Sequence, residues 1–146
     1  MIETVNLTKR FDDIVAVDHI SAQIKAGSVF GLIGTNGAGN STFLRMVSGV
    51  LKADEGTVAI DRELVYENEK AKARFFYISD EQFFLGNGTP EDMARFYEKF
   101  YSKFDKKRFF HLLEGFDLKK NRKISTFSKG MKKQLSVLLG ICSNTD

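Results

Sequence analysis

The sequence has little that would tie it to a membrane or to an oxidising compartment. No stretch approaches the ~18 unbroken apolar residues of a membrane span. The start, "MIETVNLTKRF", has no basic segment followed by an apolar one, so no secretory leader is visible. A single cysteine, Cys142, excludes an internal disulfide; it lies in an apolar run and reads as a small core residue in a reducing compartment. Internal repeats and low-complexity segments are missing as well. What is there is ordinary for a soluble cytoplasmic protein: 146 residues, 42% hydrophobic and 28% charged, enough for one compact domain or one and a part.

The net charge of +3 hides an asymmetry. Residues 1–80 hold 9 Lys/Arg against 11 Asp/Glu, whereas residues 81–146 hold 13 against 8. The excess gathers in "LKKNRKISTFSKGMKK", Leu118 to Lys133. Such a run is either a solvated face or a surface for an anionic partner. Stacking aromatics are not interleaved with these lysines, so a nucleotide phosphate fits better than a nucleic acid, and no nucleic-acid partner is expected.

The first half reads as strands. "DHISAQIKAG" alternates Ile20, Ala22 and Ile24 and stops at Gly27; "SVFGLIG" is the near-continuous apolar run of a strand covered on both faces; "GTVAID" and "RFFYIS" are further short strands. "NSTFLRMVSGV" has Phe43, Met46, Val47 and Val50 at helical spacing. The second half reads as helices. "GTPEDMARFYEKFYSKF" opens with Thr89 as N-cap and Pro90 at the first helical position, and its aromatic stripe Phe96, Tyr97, Phe100, Tyr101, Phe104 reads as packing. A second helix runs from about Lys106 to Gly115. A third follows Ser128, with Met131, Leu135, Leu138, Leu139 and Cys142 on one side. The character changes near Phe84–Gly88, a plausible junction.

One loop carries chemistry. "GLIGTNGAGNST" contains the spacing G-x-x-x-x-G-K-[ST] with Asn40 where lysine belongs. It follows an apolar strand and opens a helix, which points backbone N–H groups inward from Gly37 to Thr42 at a helix end worth roughly half a positive charge. Gly34, Thr35, Asn36, Gly37, Ala38, Gly39, Asn40, Ser41 and Thr42 are thus candidate nucleotide-binding residues, with the Ser41 hydroxyl as the Mg²⁺ ligand. Asparagine suits a helix start, so the loop keeps its shape. The loss is a full charge reaching the β and γ phosphates. A charge-assisted hydrogen bond is worth about 1.5–3 kcal/mol, or one to two decades of affinity. Hydrolysis suffers more, because charge develops in its transition state.

With these segments in view, the chain closely resembles the nucleotide-binding domain of ATP-binding-cassette (ABC) transporters over essentially its whole length. "VNLTKRF" and "AVDHIS" resemble the opening strands, with Phe11 at the position that stacks on adenine. The Gly34–Thr42 loop resembles Walker A except at Asn40, "LKADEGTVAID" the turn and strand that follow, and "FFYISDEQFF" the Q-loop segment. There the family glutamine aligns with Asp80, and Gln82 stands two positions late. "FSKGMKKQLSVLLGI" resembles the signature motif and its helix, with Ser128, Lys129 and Gly130 in an S-K-G-M-K variant found in a branch of bacterial ABC ATPases. His19 and His111 match no family histidine and read as surface or packing residues.

The resemblance implies an α/β P-loop fold with a mixed-sheet core and a helical subdomain, C-terminally incomplete because the chain stops where the family continues into Walker B. It places a nucleotide-binding core at 1–84 and the helical subdomain at 85–146. It implies ATP and Mg²⁺ as cofactors, an integral membrane subunit as partner, a head-to-tail homo- or heterodimer of ATPase domains, and a position on the inner face of the cell membrane. The expected function is an ATP-binding transporter subunit with hydrolysis impaired or absent in this chain, none of whose residues is assigned a catalytic role. Two alternatives stand beside it: a degenerate, nucleotide-gated interaction module, and a soluble ABC ATPase outside transport.

Overall fold

The computed structural model describes residues 1–145. They form two compact units, the first spanning Met1–Lys72 and the second starting at Ala73.

The first unit is built on a four-stranded antiparallel sheet in the order β2-β1-β3-β4, from β1 (Ile2–Phe11), β2 (Ile14–Ile24), β3 (Glu55–Ile60) and β4 (Glu63–Leu64). The β1–β2 hairpin turns at Asp12, whose positive φ of 49° is one that aspartate tolerates. The alternation of β1 breaks at Asn6, also at positive φ, where the register slips against both neighbours. Buried threonines replace the lost ladder bonds. Thr4 Oγ1 accepts from the Ala22 N–H at 2.9 Å, and Thr8 Oγ1 accepts from the His19 N–H at 3.0 Å. Helix α1 (Asn40–Val47) lays Phe43 and Met46 into a core with Leu7, Val17, Val58, Ile60 and Val65. A single helical turn, α2 (Glu69–Lys72), closes the unit with Ala71 buried.

The second unit is helical. Helix α3 (Pro90–Tyr97) starts with a capping box: Thr89 accepts from the Asp92 N–H, and the Asp92 carboxylate accepts from the Thr89 N–H at 2.9 Å. Helix α4 (Lys106–Gly115) is capped by Asp105, and α5 (Lys129–Cys142) by Ser128. A 3₁₀ turn at Ile124–Thr126 leads into α5. Between these elements lies one apolar cluster including Met93, Phe104, Phe109, Leu113, Ile124, Leu135, Leu138 and Cys142. Burial pushes the Cys142 thiol pKa up, as expected of a core residue rather than a reactive one.

Three sequence expectations differ from what forms. "SVFGLIG" and "RFFYIS" are not strands: residues 28–35 and 75–79 carry no regular structure, and Ile33 is 94% exposed. A strand exists only as part of a ladder, and neither segment has a neighbouring strand among the described residues. The helix expected through the aromatic stripe ends at Tyr97, so the stripe spans a helix end and the turns beyond. Phe96, Tyr97, Tyr101 and Phe104 pack inward as expected, with Phe76 5.3 Å from Tyr97 ring to ring, while Phe100 stays 63% exposed. Finally, the loop near Phe84–Gly88 lies inside the second unit, because Phe84 and Leu85 pack on the helical core.

Candidate functional site

Helix α1 differs from the other helices of eight or more residues. Each of α3, α4 and α5 has a side chain accepting from its first turn; α1 has none, and its N-cap is Gly39 in the left-handed region at φ 85°, ψ 2°. The loop before it turns on the Ala38 N–H donating to the Thr35 carbonyl (3.0 Å), and the helix opens with the Phe43 N–H on the Gly39 carbonyl (2.8 Å). The first-turn N–H groups at Asn40, Ser41 and Thr42 therefore face the glycine loop with no side-chain cap. Such an end accepts an anion. Ser41, in that first turn, is exposed.

Gly39 also fixes where the loop sits. A Cβ added there would lie 1.9 Å from the Ala16 carbonyl oxygen of β2. Only a bare Cα permits this approach. Ala16 stands two residues beyond Ile14, which pairs with Phe11 across the hairpin. Two residues of strand are about 6.8 Å. Phe11, whose ring is 46% exposed, thus lies on the same hairpin as Ala16, with Lys9 Nζ 5.6 Å from the ring centroid. Sequence reasoning missed Ala16; the signal available was the obligate glycine at 39, which demands a close backbone partner without naming it.

The Asn40 amide folds back over the loop. A Cβ at Gly34 would stand 2.9 Å from Asn40 Nδ2, 3.1 Å from Oδ1 and 2.8 Å from Ala38 Cβ. Gly37, at φ 86°, meets nothing within 4 Å on that test, so its requirement is conformational alone. Residues 26–44 contain no charged side chain. The cations of the adjoining hairpin are engaged: Lys9 holds Asp54 at 2.7 Å, and Arg10 holds Glu55 at 2.6 Å. These contacts lower the Asp54 pKa, chiefly through the Lys9 hydrogen bond, and raise that of Arg10, chiefly through Glu55.

The remaining candidates lie in the second unit. Ser128 is the N-cap of α5, and its Oγ accepts from the Met131 N–H at 3.2 Å. One lone pair of this hydroxyl is thereby engaged, while its own proton remains available to donate. Lys129 and Gly130 are exposed in the first turn. Asp80 is 96% exposed with Lys133 Nζ 3.9 Å away, which brings the segment around Asp80 beside α5. Gln82 is half-buried.

The sequence profile described as "ABC transporter" matches residues 17–146. The chain belongs to the ABC transporter family. Among curated relatives, it is 30% identical over 143 residues to the ABC transporter ATP-binding protein YtrB of Bacillus subtilis, covering 98% of this chain and 49% of that protein. A solved ATP-binding subunit of an ABC transporter shares the fold at a TM-score of 0.88 and 22% identity, covering 99% of this chain and 62% of that one. A dimeric post-hydrolysis ATP-binding cassette, MJ0796, bound to ADP and phosphate superposes at a TM-score of 0.79 with 21% identity, covering 99% and 71%. The chain spans about half the length, or less, of the curated relatives it matches. The fold is that of the ABC ATPase domain, and the glycine loop lies within the matched residues.

Proposed function

We propose that this chain is the nucleotide-binding part of an ABC transporter ATP-binding subunit, holding ATP on the Gly34–Thr42 loop with Mg²⁺ at Ser41 and working with a separate membrane subunit at its cytoplasmic side. The observation that carries the proposal is the uncapped N-terminus of α1 behind its glycine loop, within a chain whose match to the family runs from residue 17 to 146. The residues present fit the ligand: backbone N–H groups for the phosphates, an exposed hydroxyl for the metal, and an exposed aromatic face for the base. When bound, Mg²⁺ neutralises phosphate charge. The first turn of α1 positions the phosphates, and Phe11 orients the adenine. Ser128 and the first turn of α5 would donate to the γ-phosphate held by a second ATPase domain in a head-to-tail dimer. Among the described residues no helix is long and apolar enough to cross a membrane, and the proposal assigns the span to the partner.

Asn40 supports a second reading, in which nucleotide binding gates an interaction without turnover. The loop keeps its shape but loses the cation that would stabilise the transferring phosphoryl group. Calorimetry with ATP and Mg²⁺, paired with a phosphate-release assay on the full-length protein, separates the two. Binding with release supports the transporter ATPase, binding without release supports the gated module, and no binding refutes both.

A further inference from the structure

We propose that Asn40 turns the loop into a charge-poor cradle that holds a nucleoside diphosphate at least as tightly as the triphosphate. The inference rests on the nucleotide-binding reading above and deepens it by naming the preferred phosphate state.

The argument follows from which donors the loop offers. From residue 26 to 44 the chain has no charged side chain, and α1 has no acid in its first turn and its only base, Arg45, in the last. Lys9 and Arg10 of the adjoining hairpin are held by Asp54 and Glu55. What remains is the set of N–H groups around Gly37–Thr42 and the partial charge of the helix end, which falls off within one turn. These groups are fixed in the backbone and reach only the phosphates lying inside the loop. A lysine at position 40 could extend past the loop mouth. Asparagine is two carbons shorter and neutral, and here its amide lies back across Gly34, 2.9 and 3.1 Å from where a Cβ would be. A third phosphate therefore brings further negative charge to a loop whose own residues, 26–44, supply no cation. Its gain from the loop is small, and the loop does not offset its desolvation. In a loop with lysine, the same phosphate would gain a charge-assisted bond worth about ten- to hundred-fold in affinity.

The test is isothermal titration of the full-length protein with ADP and with ATP, each in EDTA and then in Mg²⁺, for the parent and for Asn40→Lys. Without magnesium, the parent is expected to bind ADP as tightly as ATP or tighter. Asn40→Lys is expected to shift the ATP/ADP affinity ratio toward ATP by about ten-fold or more. A parent that prefers ATP ten-fold without magnesium overturns the inference while leaving the nucleotide-binding reading intact. So does a folded Asn40→Lys protein with an unchanged ratio. Failure of the parent to bind either nucleotide overturns both.

Discussion

The three glycines of the Gly34–Thr42 loop are suited to their places for different physical reasons, and alanine at each should separate them. At Gly39 an added methyl carbon would stand 1.9 Å from the Ala16 carbonyl oxygen, at a φ of 85°. Alanine in that conformation costs about 1–3 kcal/mol in backbone strain. The methyl must also withdraw by about 1.5 Å to reach ordinary contact, and overpacking of this kind adds about 1–3 kcal/mol. The N-terminus of α1 would then lift away from β2, taking its N–H groups out of register. At Gly37 the φ is 86° but nothing lies within 4 Å, so only the strain applies. At Gly34 the obstacles are Ala38 Cβ and the movable Asn40 amide, and φ is not in the left-handed region. Gly39→Ala is therefore expected to destabilise α1 by about 2–6 kcal/mol and to weaken nucleotide binding by about a decade or more. Gly37→Ala should lose about 1–3 kcal/mol, and Gly34→Ala should mainly displace Asn40. Hydrogen exchange read by mass spectrometry reports α1 and α5 separately, and calorimetry reports binding. Gly39→Ala should accelerate exchange in α1 and leave α5 unchanged. If Gly39→Ala and Gly37→Ala were equal in exchange and in affinity, the close approach to Ala16 would not be what positions the loop.

Other expectations follow from single contacts. Phe11→Ala should weaken ATP binding by the roughly 1–3 kcal/mol of a base stack and leave tripolyphosphate affinity unchanged, as calorimetry would show. Thr89→Ala should cost the α3 unit about 1 kcal/mol for the lost cap, read by urea denaturation. The same box has a pH signature. Hydrogen bonds from the Thr89 hydroxyl and N–H lower the Asp92 carboxyl below its ordinary value. Its contribution is therefore complete above the unfolded carboxyl pKa of about 4 and is lost as pH falls through the lower folded value. Thr89→Ala should flatten that acid limb. Leu135→Ala, at a fully buried position of α5, should cost about 2–5 kcal/mol in the same assay.

How much was legible in the sequence depended on whether the determinant was local. Thr89, Asp92 and Pro90 specify a helix start through contacts within four residues, and that start formed as read. The α5 face formed as read too, since Leu135, Leu138, Leu139 and Cys142 repeat at helical spacing and all are buried. "SVFGLIG" was not legible in the same way. Its apolar residues state a preference for a covered strand, but a strand also needs hydrogen-bonding neighbours, and no local pattern says whether those are present. The kink of β1 at Asn6 was hidden for a related reason: its compensation comes from Ser21, whose hydroxyl accepts the Asn6 N–H at 2.9 Å from the next strand. In the candidate site, the loop was read from glycine spacing, whereas its seat on Ala16 is a long-range contact that spacing cannot carry.

The capping pattern gives a physical reason to treat α1 and α5 differently, although the proposed function puts phosphate contacts at both. A helix N-terminus leaves N–H groups that must find acceptors. At α5, Ser128 already supplies one to Met131, so an anion there meets a helix start that is already partly capped. At α1 no side chain supplies one, the residue before the helix is glycine, and the loop is shaped by the Thr35–Ala38 turn and the approach to Ala16 rather than by its own capping bonds. Water satisfies those groups when no ligand is bound, at the cost of leaving the helix start without a fixed acceptor. A bound phosphate replaces that water with a charged, multidentate acceptor. Ligand binding should therefore protect the first turn of α1 in hydrogen exchange far more than it protects the first turn of α5 in the same chain. Equal protection at both ends would place the primary phosphate contact elsewhere than on the Gly34–Thr42 loop.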